Sequence, residues 1–150
     1  MQMFHLTSSV LIHQPVKRVF EFMSMPVNDH QWQYGTLASA QINAAGKAMG
    51  AYFRSIGHLM GNRNLSTFEV TEFEPNHKYG FRSLSGPVDS ETSYTFEMER
   101  GGTRITISTY VRAVDLARVR VDLLKKQLKK QLREDLTILK HSLEAVRSVT

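Results

Sequence analysis

The stretch LKKQLKKQLREDLTILKHSLEAV, residues 124–146, decides the fold. Leu124, Leu128, Leu132, Leu136, Leu139, Leu143 and Val146 step by four or three, the apolar stripe of a long amphipathic helix. Neither Gly nor Pro interrupts residues 115–149, so the helix is expected to fill that span. At ~1.5 Å per residue it would be on the order of 45 Å long, enough to cross a whole sheet.

Upstream of it the chain reads mainly as strands. Phe4, Leu6, Val10 and Ile12 alternate through residues 4–13 (FHLTSSVLIH), the pattern of a half-buried strand. Gln14-Pro15 ends it, and Pro15 suits the first turn of a helix. Val16, Val19, Phe20 and Met23 follow at helical spacing up to Pro26, and a second short helix is expected from about Val27 to Tyr34, stopping at Gly35. Five strand-like runs come next: Thr36–Ala44, Ala51–Met60, Asn64–Phe73, Lys78–Leu84 and Glu91–Glu99. Gly101-Gly102 turns the chain into a last strand, Thr103–Arg112. Tyr94, Phe96 and Met98 alternate with Glu91, Ser93, Thr95, Glu97 and Glu99, which means an antiparallel sheet with one wet face.

The expected architecture is therefore α+β, a single domain over residues 1–150. A curved seven-stranded antiparallel sheet wraps a long C-terminal helix, with two short helices after the first strand. The apolar face of the sheet must be covered, and only the long helix is large enough to do so. A helix cannot fill a concave surface, so a cavity between the two follows from the architecture.

Composition narrows the classes further. The chain has no cysteine, which excludes disulfide scaffolds, thiolate metal sites and a cysteine nucleophile. No apolar run approaches the ~18 residues of a membrane span. The N-terminus lacks the basic and apolar regions of a signal peptide, so cytoplasmic residence is expected. The net charge of +5 is localised: residues 1–111 carry nine basic and nine acidic side chains, residues 112–150 ten and five.

Several segments together resemble a known family. They are Ile12 to Phe20 with its Pro-Val-x-x-Val-Phe, Asp29-His-Gln-Trp32, Gly50 opening a strand, Glu69-Val-Thr-Glu-Phe-Glu-Pro75, Gly101-Gly-Thr-Arg104 and Glu134-Asp-Leu-x-x-Leu-Lys140. In that order and spacing, over nearly the whole chain, they are similar to the polyketide cyclase/dehydrase-like branch of the START-related helix-grip superfamily. The resemblance implies a seven-stranded sheet gripping the C-terminal helix around a hydrophobic ligand. It implies no catalytic residues, because members of this superfamily range from lipid carriers to cyclases and share no catalytic motif.

The residues offer few sites for chemistry. Six His are scattered without ligand spacing, so no metal is expected, and no cofactor motif occurs. Gly101-Gly102 leads into a strand and makes a hairpin, not a phosphate loop. His58 is the one candidate acid or base. It faces the cavity if Tyr52 points inward and faces water if Phe53 does, and the family pattern after Gly50 favours the second phase. Lys125 falls within the leucine stripe, where it could meet an acidic ligand group or snorkel to solvent as the helix leaves the sheet. Trp32 reads as a gate at one end of the grip or as a plain hydrophobic plug.

The expected ligand contacts are Trp32, Phe53, Tyr79, Phe81, Tyr94, Phe96, Thr109, Leu124, Lys125 and Leu128. The function these support is binding or transport of a small hydrophobic or amphipathic ligand. A cyclase or dehydrase using a pocket acid or base is the rival, separated by whether an ionisable group other than Lys125 faces the cavity. A third reading is an interaction module in which Lys126, Lys129, Lys130 and Arg133 form a basic strip for an anionic membrane or RNA. A merely solvated face is the plain alternative, diluted by Glu134 and Asp135. Nucleic acid is disfavoured because the charge is confined to one segment, and self-association stays open.

Overall fold

The structure is a computed structural model, and it describes residues 4–43, 49–114 and 120–145. Strand β1 (Phe4–Ile12) leads into helix α1 (Val16–Met23) and a 3-10 helix over Pro26–Gln31. Strands β2 (Thr36–Gln41), β3 (Tyr52–Leu59), β4 (Asn62–Glu74), β5 (Lys78–Ser85), β6 (Val88–Glu99) and β7 (Gly102–Val114) follow, then helix α2 (Val121–Ala145). The seven strands form one antiparallel sheet in the order β1-β7-β6-β5-β4-β3-β2. This is the expected helix-grip arrangement. Among the described residues, no helix is long and apolar enough to cross a membrane.

Local chemistry explains the boundaries that differ from expectation. The second short helix is 3-10 and ends at Gln31. Its Asn28 N–H bonds the Met25 carbonyl three residues back, and the Trp32 and Gln33 N–H groups both converge on the Asp29 carbonyl. Strand β2 stops early because Asn43 pins the turn, its side chain accepting from the Tyr52 N–H and donating to the Gly50 carbonyl. Strand β6 begins at Val88 by pairing with the end of β7 through a bulge at Asp89/Ser90. The portions of the expected strand and long helix at residues 44, 115–119 and 146–149 lie outside the described residues.

Helix α2 contributes to two apolar clusters, and Leu132 packs against both. Leu136, Leu139 and Leu143 enter the main core with Val19, Phe20 and Met23 of α1 and the aromatic residues of the sheet. Leu124 enters a smaller cluster with Phe4, Leu6 and Val111. The C-terminal half is also tied to β1. Lys140 Nζ donates to the Leu11 carbonyl at 2.7 Å, and the His13 N–H donates to Glu144 at 2.8 Å.

Candidate functional site

Leu128 packs against the smaller cluster and Leu132 against both, yet beside them α2 stands over a hollow. A cavity of about 270 Å³ lies beneath Leu128, Gln131 and Asp135. Its floor is the part of the sheet where side chains are short: Ser55 and Gly57 on β3, Ser66 on β4, Ser90 on β6 and Thr109 on β7. Phe68, Val88 and Val111 supply its apolar wall. An adjoining space of about 470 Å³ forms the mouth, bounded by Tyr34, by His58 to Gly61 and by Gln127, Leu128 and Gln131 of α2. The cavity exists because serine and glycine cannot reach the helix from the curved sheet, whereas the aromatic residues further along can.

The turn between the 3-10 helix and β2 forms one rim. Gln33 accepts from the Thr36 hydroxyl at 2.8 Å, and the His58 N–H donates to the Gly35 carbonyl at 2.9 Å. Gly57 permits this approach, because a Cβ there would overlap the Gly35 carbonyl oxygen.

Asp135 is the ionisable group that faces this cavity from α2. It is only 8% exposed. Its Oδ1 accepts from the Tyr34 N–H at 3.1 Å and from Gln131 Nε2 at 2.9 Å. Burial pushes the carboxyl up to about 6, against the opposing pull of those two hydrogen bonds. No donor among the described residues reaches Oδ2. Asp135 was expected on the solvated strip beside Glu134, and the structure corrects this. It lies seven residues after Leu128, about 20° away at 100° per residue, which places it on the inner face. That spacing was the signal by which the sequence could have revealed it.

The expected ligand contacts fall into three groups. Thr109 and Leu128 line the cavity. Trp32, Phe53, Tyr79, Phe81, Tyr94 and Phe96 pack into the aromatic core beside it. Phe53 meets Phe81 at 5.3 Å, Phe81 meets Tyr94 at 5.7 Å, Tyr94 meets Trp32 at 6.1 Å, and Phe96 meets Phe20 at 5.0 Å. Leu124 sits in the separate apolar cluster, and Lys125 is exposed, where the first turns of α2 leave the sheet. Phe68, which stacks on Phe53 at 5.0 Å, together with Gln131 and Asp135, joins the lining without having been expected there.

Strand β3 takes the phase with Phe53 inward and buried. His58 is half-buried at the strand end, its ring edge-on to Tyr34 at 5.3 Å beside the mouth.

A second polar cluster lies within the aromatic core. Asp29 is buried, and burial raises its carboxyl well above the ordinary range. Burial, and next the nearby Asp29 charge, push the Tyr79 and Tyr94 hydroxyls upward. Tyr94 accepts from Gln33 Nε2 at 3.4 Å, linking this cluster to the cavity rim. Among the described residues no three His, Asp or Glu side chains converge as metal ligands.

Comparison with known proteins agrees with this architecture. No curated protein matches the sequence significantly. The ZhuI aromatase/cyclase from Streptomyces sp. R1128 superimposes with a TM-score of 0.76 at 14% identity, over 98% of each chain. The di-domain aromatase/cyclase BexL gives 0.73 at 16% identity, over 97% of this chain and 51% of its own. The major latex-like protein 151 of Panax ginseng gives 0.71 at 11% identity, over 95% and 96%. At such identities these likenesses show the shared fold alone. The sequence model of the family described as polyketide cyclase/dehydrase and lipid transport matches residues 3–144, and the chain belongs to that family.

Proposed function

We propose that the protein binds a small amphipathic ligand in the cavity beneath α2. The ligand's apolar part would lie against Phe68, Val111 and Leu128, and a hydrogen-bond donor on it would meet Asp135. The observation that carries this is the Asp135 carboxyl in the roof of the cavity, its Oδ1 held by Tyr34 and Gln131 and its Oδ2 open to the cavity with no donor among the described residues. A carboxylate oxygen that opens into a cavity with no protein donor is free to accept from a ligand that enters it. The cavity and mouth together fall within the usual size range of small-molecule sites. The family description, which joins cyclases and dehydrases with lipid transport, accords with a ligand of this kind.

One observation favours turnover as a second reading. A carboxyl held at about 6 is poised both to accept and to return a proton near neutral pH, as a cyclase or dehydrase step requires. Native mass spectrometry of protein purified from its own host tests both. A co-purifying small molecule, lost in Asp135→Asn, supports the binding site. Recovery of that molecule unchanged after incubation supports a carrier, and loss of water or a ring-closed isomer supports catalysis. Wild-type protein that retains no small molecule and takes up no neutral apolar dye would refute the binding proposal.

A further inference from the structure

We infer that the flank of α2 beside the cavity mouth is a docking surface for an anionic membrane. Between Asp122 and Asp135 the helix carries Lys125, Lys126, Lys129, Lys130 and Arg133 against two exposed acids, Asp122 and Glu134. Asp122 is taken by Arg120 at 2.8 Å, and Glu134 lies 4.0 Å from Lys130. Lys126, Lys129 and Arg133 have no ion-pair partner among the described residues. At 100° per residue, Lys126, Lys129, Lys130 and Arg133 fall within an arc of about 100° that begins at Lys130, about 60° from Gln127, and runs onto the outer face of the helix. Gln127 itself lines the mouth.

Apolar side chains also stand exposed around the mouth and on the same helix. Tyr34 and Met60, both at the mouth, are 67% and 43% exposed, and Leu123, one turn before Gln127, is 46% exposed. Arg63, two residues beyond the Met60–Gly61 turn, is also exposed and has no ion pair among the described residues. Cations flanking exposed apolar side chains match the layering of a bilayer surface, where anionic headgroups lie above an apolar interior. An RNA strand would answer the charge but leaves Met60 and Leu123 without a role. Each cation near an anionic leaflet contributes about fivefold in partitioning, so four give on the order of a few hundred-fold, a reversible contact.

The test is co-sedimentation with phosphatidylcholine vesicles, with and without phosphatidylserine. The wild-type chain should sediment only with the anionic vesicles and be released by salt as the charges are screened. Lys126→Gln/Lys129→Gln/Lys130→Gln/Arg133→Gln should lose at least tenfold in partitioning. Removing four charges at Lys17, Arg18, Arg54 and Arg100 should leave binding within about twofold, because the effect depends on where the charge sits. Met60→Ser should weaken binding without changing its salt dependence. Circular dichroism and uptake of a neutral apolar dye monitor the fold and the cavity separately, so failure here is distinct from failure of the ligand site. Equal sedimentation of the four-Gln variant, equal loss in the control variant, or wild-type binding to an RNA homopolymer but to neither vesicle would overturn the inference.

Discussion

The Tyr34 N–H donates to Asp135 Oδ1 at 3.1 Å, joining two residues a hundred and one positions apart at the rim of the cavity. One belongs to the turn that frames the mouth, the other to the helix that roofs it. This contact holds the turn against α2 and supplies one of the two hydrogen bonds that Asp135 receives.

The first prediction concerns the pH dependence of stability. The Asp135 carboxyl is raised from 3.8 to about 6 by burial, so the folded chain holds its proton more tightly than the unfolded chain does. The Asp135 contribution to stability should therefore fall as pH rises between about 4 and 6, and stay reduced above that window. Asp135→Asn keeps an acceptor for the Tyr34 N–H and cannot ionise. At pH 8 the variant should be more stable than wild type by about 2 kcal/mol, after allowing for solvent in the cavity, with the gap closing towards pH 4. Urea titrations at the two pH values measure this, and parallel curves would show that the carboxyl is not buried.

A second prediction separates the core from the cavity. Phe96 is buried against Phe20, so Phe96→Ala should cost about 3–5 kcal/mol in urea unfolding. Folded Phe96→Ala should still take up a neutral apolar dye with nearly unchanged affinity. Ser55→Leu extends a side chain into the cavity and should reverse the pattern: little change in the unfolding midpoint, dye affinity down at least tenfold. Dye loss on Phe96→Ala with none on Ser55→Leu would place the binding site elsewhere.

The third tests the glycine contact at the rim. Adding a methyl group at Gly57 forces the Gly35 carbonyl away. Gly57→Ala should destabilise the chain by about 1–3 kcal/mol and weaken dye binding, since the displaced turn borders the cavity. A variant matching wild type in both measurements would mean the turn has room to spare.

A fourth concerns α2 as a whole. Ending the chain after Val111 removes the cover over the concave face, including Leu136, Leu139 and Leu143 of the main core. The shortened chain should show no cooperative thermal transition by circular dichroism. A sharp transition would mean that the sheet closes its core without the helix.

The fold was legible because its signals repeat. Six apolar positions on α2 and the alternation of Tyr94, Phe96 and Met98 each state a period several times over. The phase of β3 was open between Tyr52 and Phe53, and the family pattern after Gly50 favoured the one observed. The site was harder to read, because a cavity lies where side chains fail to meet, and sequence patterns report where they do. Tyr79, Phe81 and Tyr94 drew attention as large inward-facing groups, yet large groups fill the space they face. Ser55, Gly57, Ser66 and Ser90, whose shortness leaves the space open, give no periodic signal. Asp135 went unrecognised for a different reason: its neighbour Glu134 and the lysines before it made it look like one more surface charge, although its distance from Leu128 pointed inward.

Because α2 is seated along its length, on Leu124, Leu132, Leu136, Leu139 and Leu143, it is a fixed roof over one side of the cavity. Tilting it would unseat some of these leucines, whereas moving the Tyr34 turn breaks the single hydrogen bond to Asp135 and the His58–Gly35 contact. A ligand bound as proposed should then exchange by a local opening of this rim and not through the global unfolding equilibrium. Residence time and thermal stability become separately adjustable. Substitutions that tighten the aromatic half of the core should raise the melting temperature while leaving the release rate where it was.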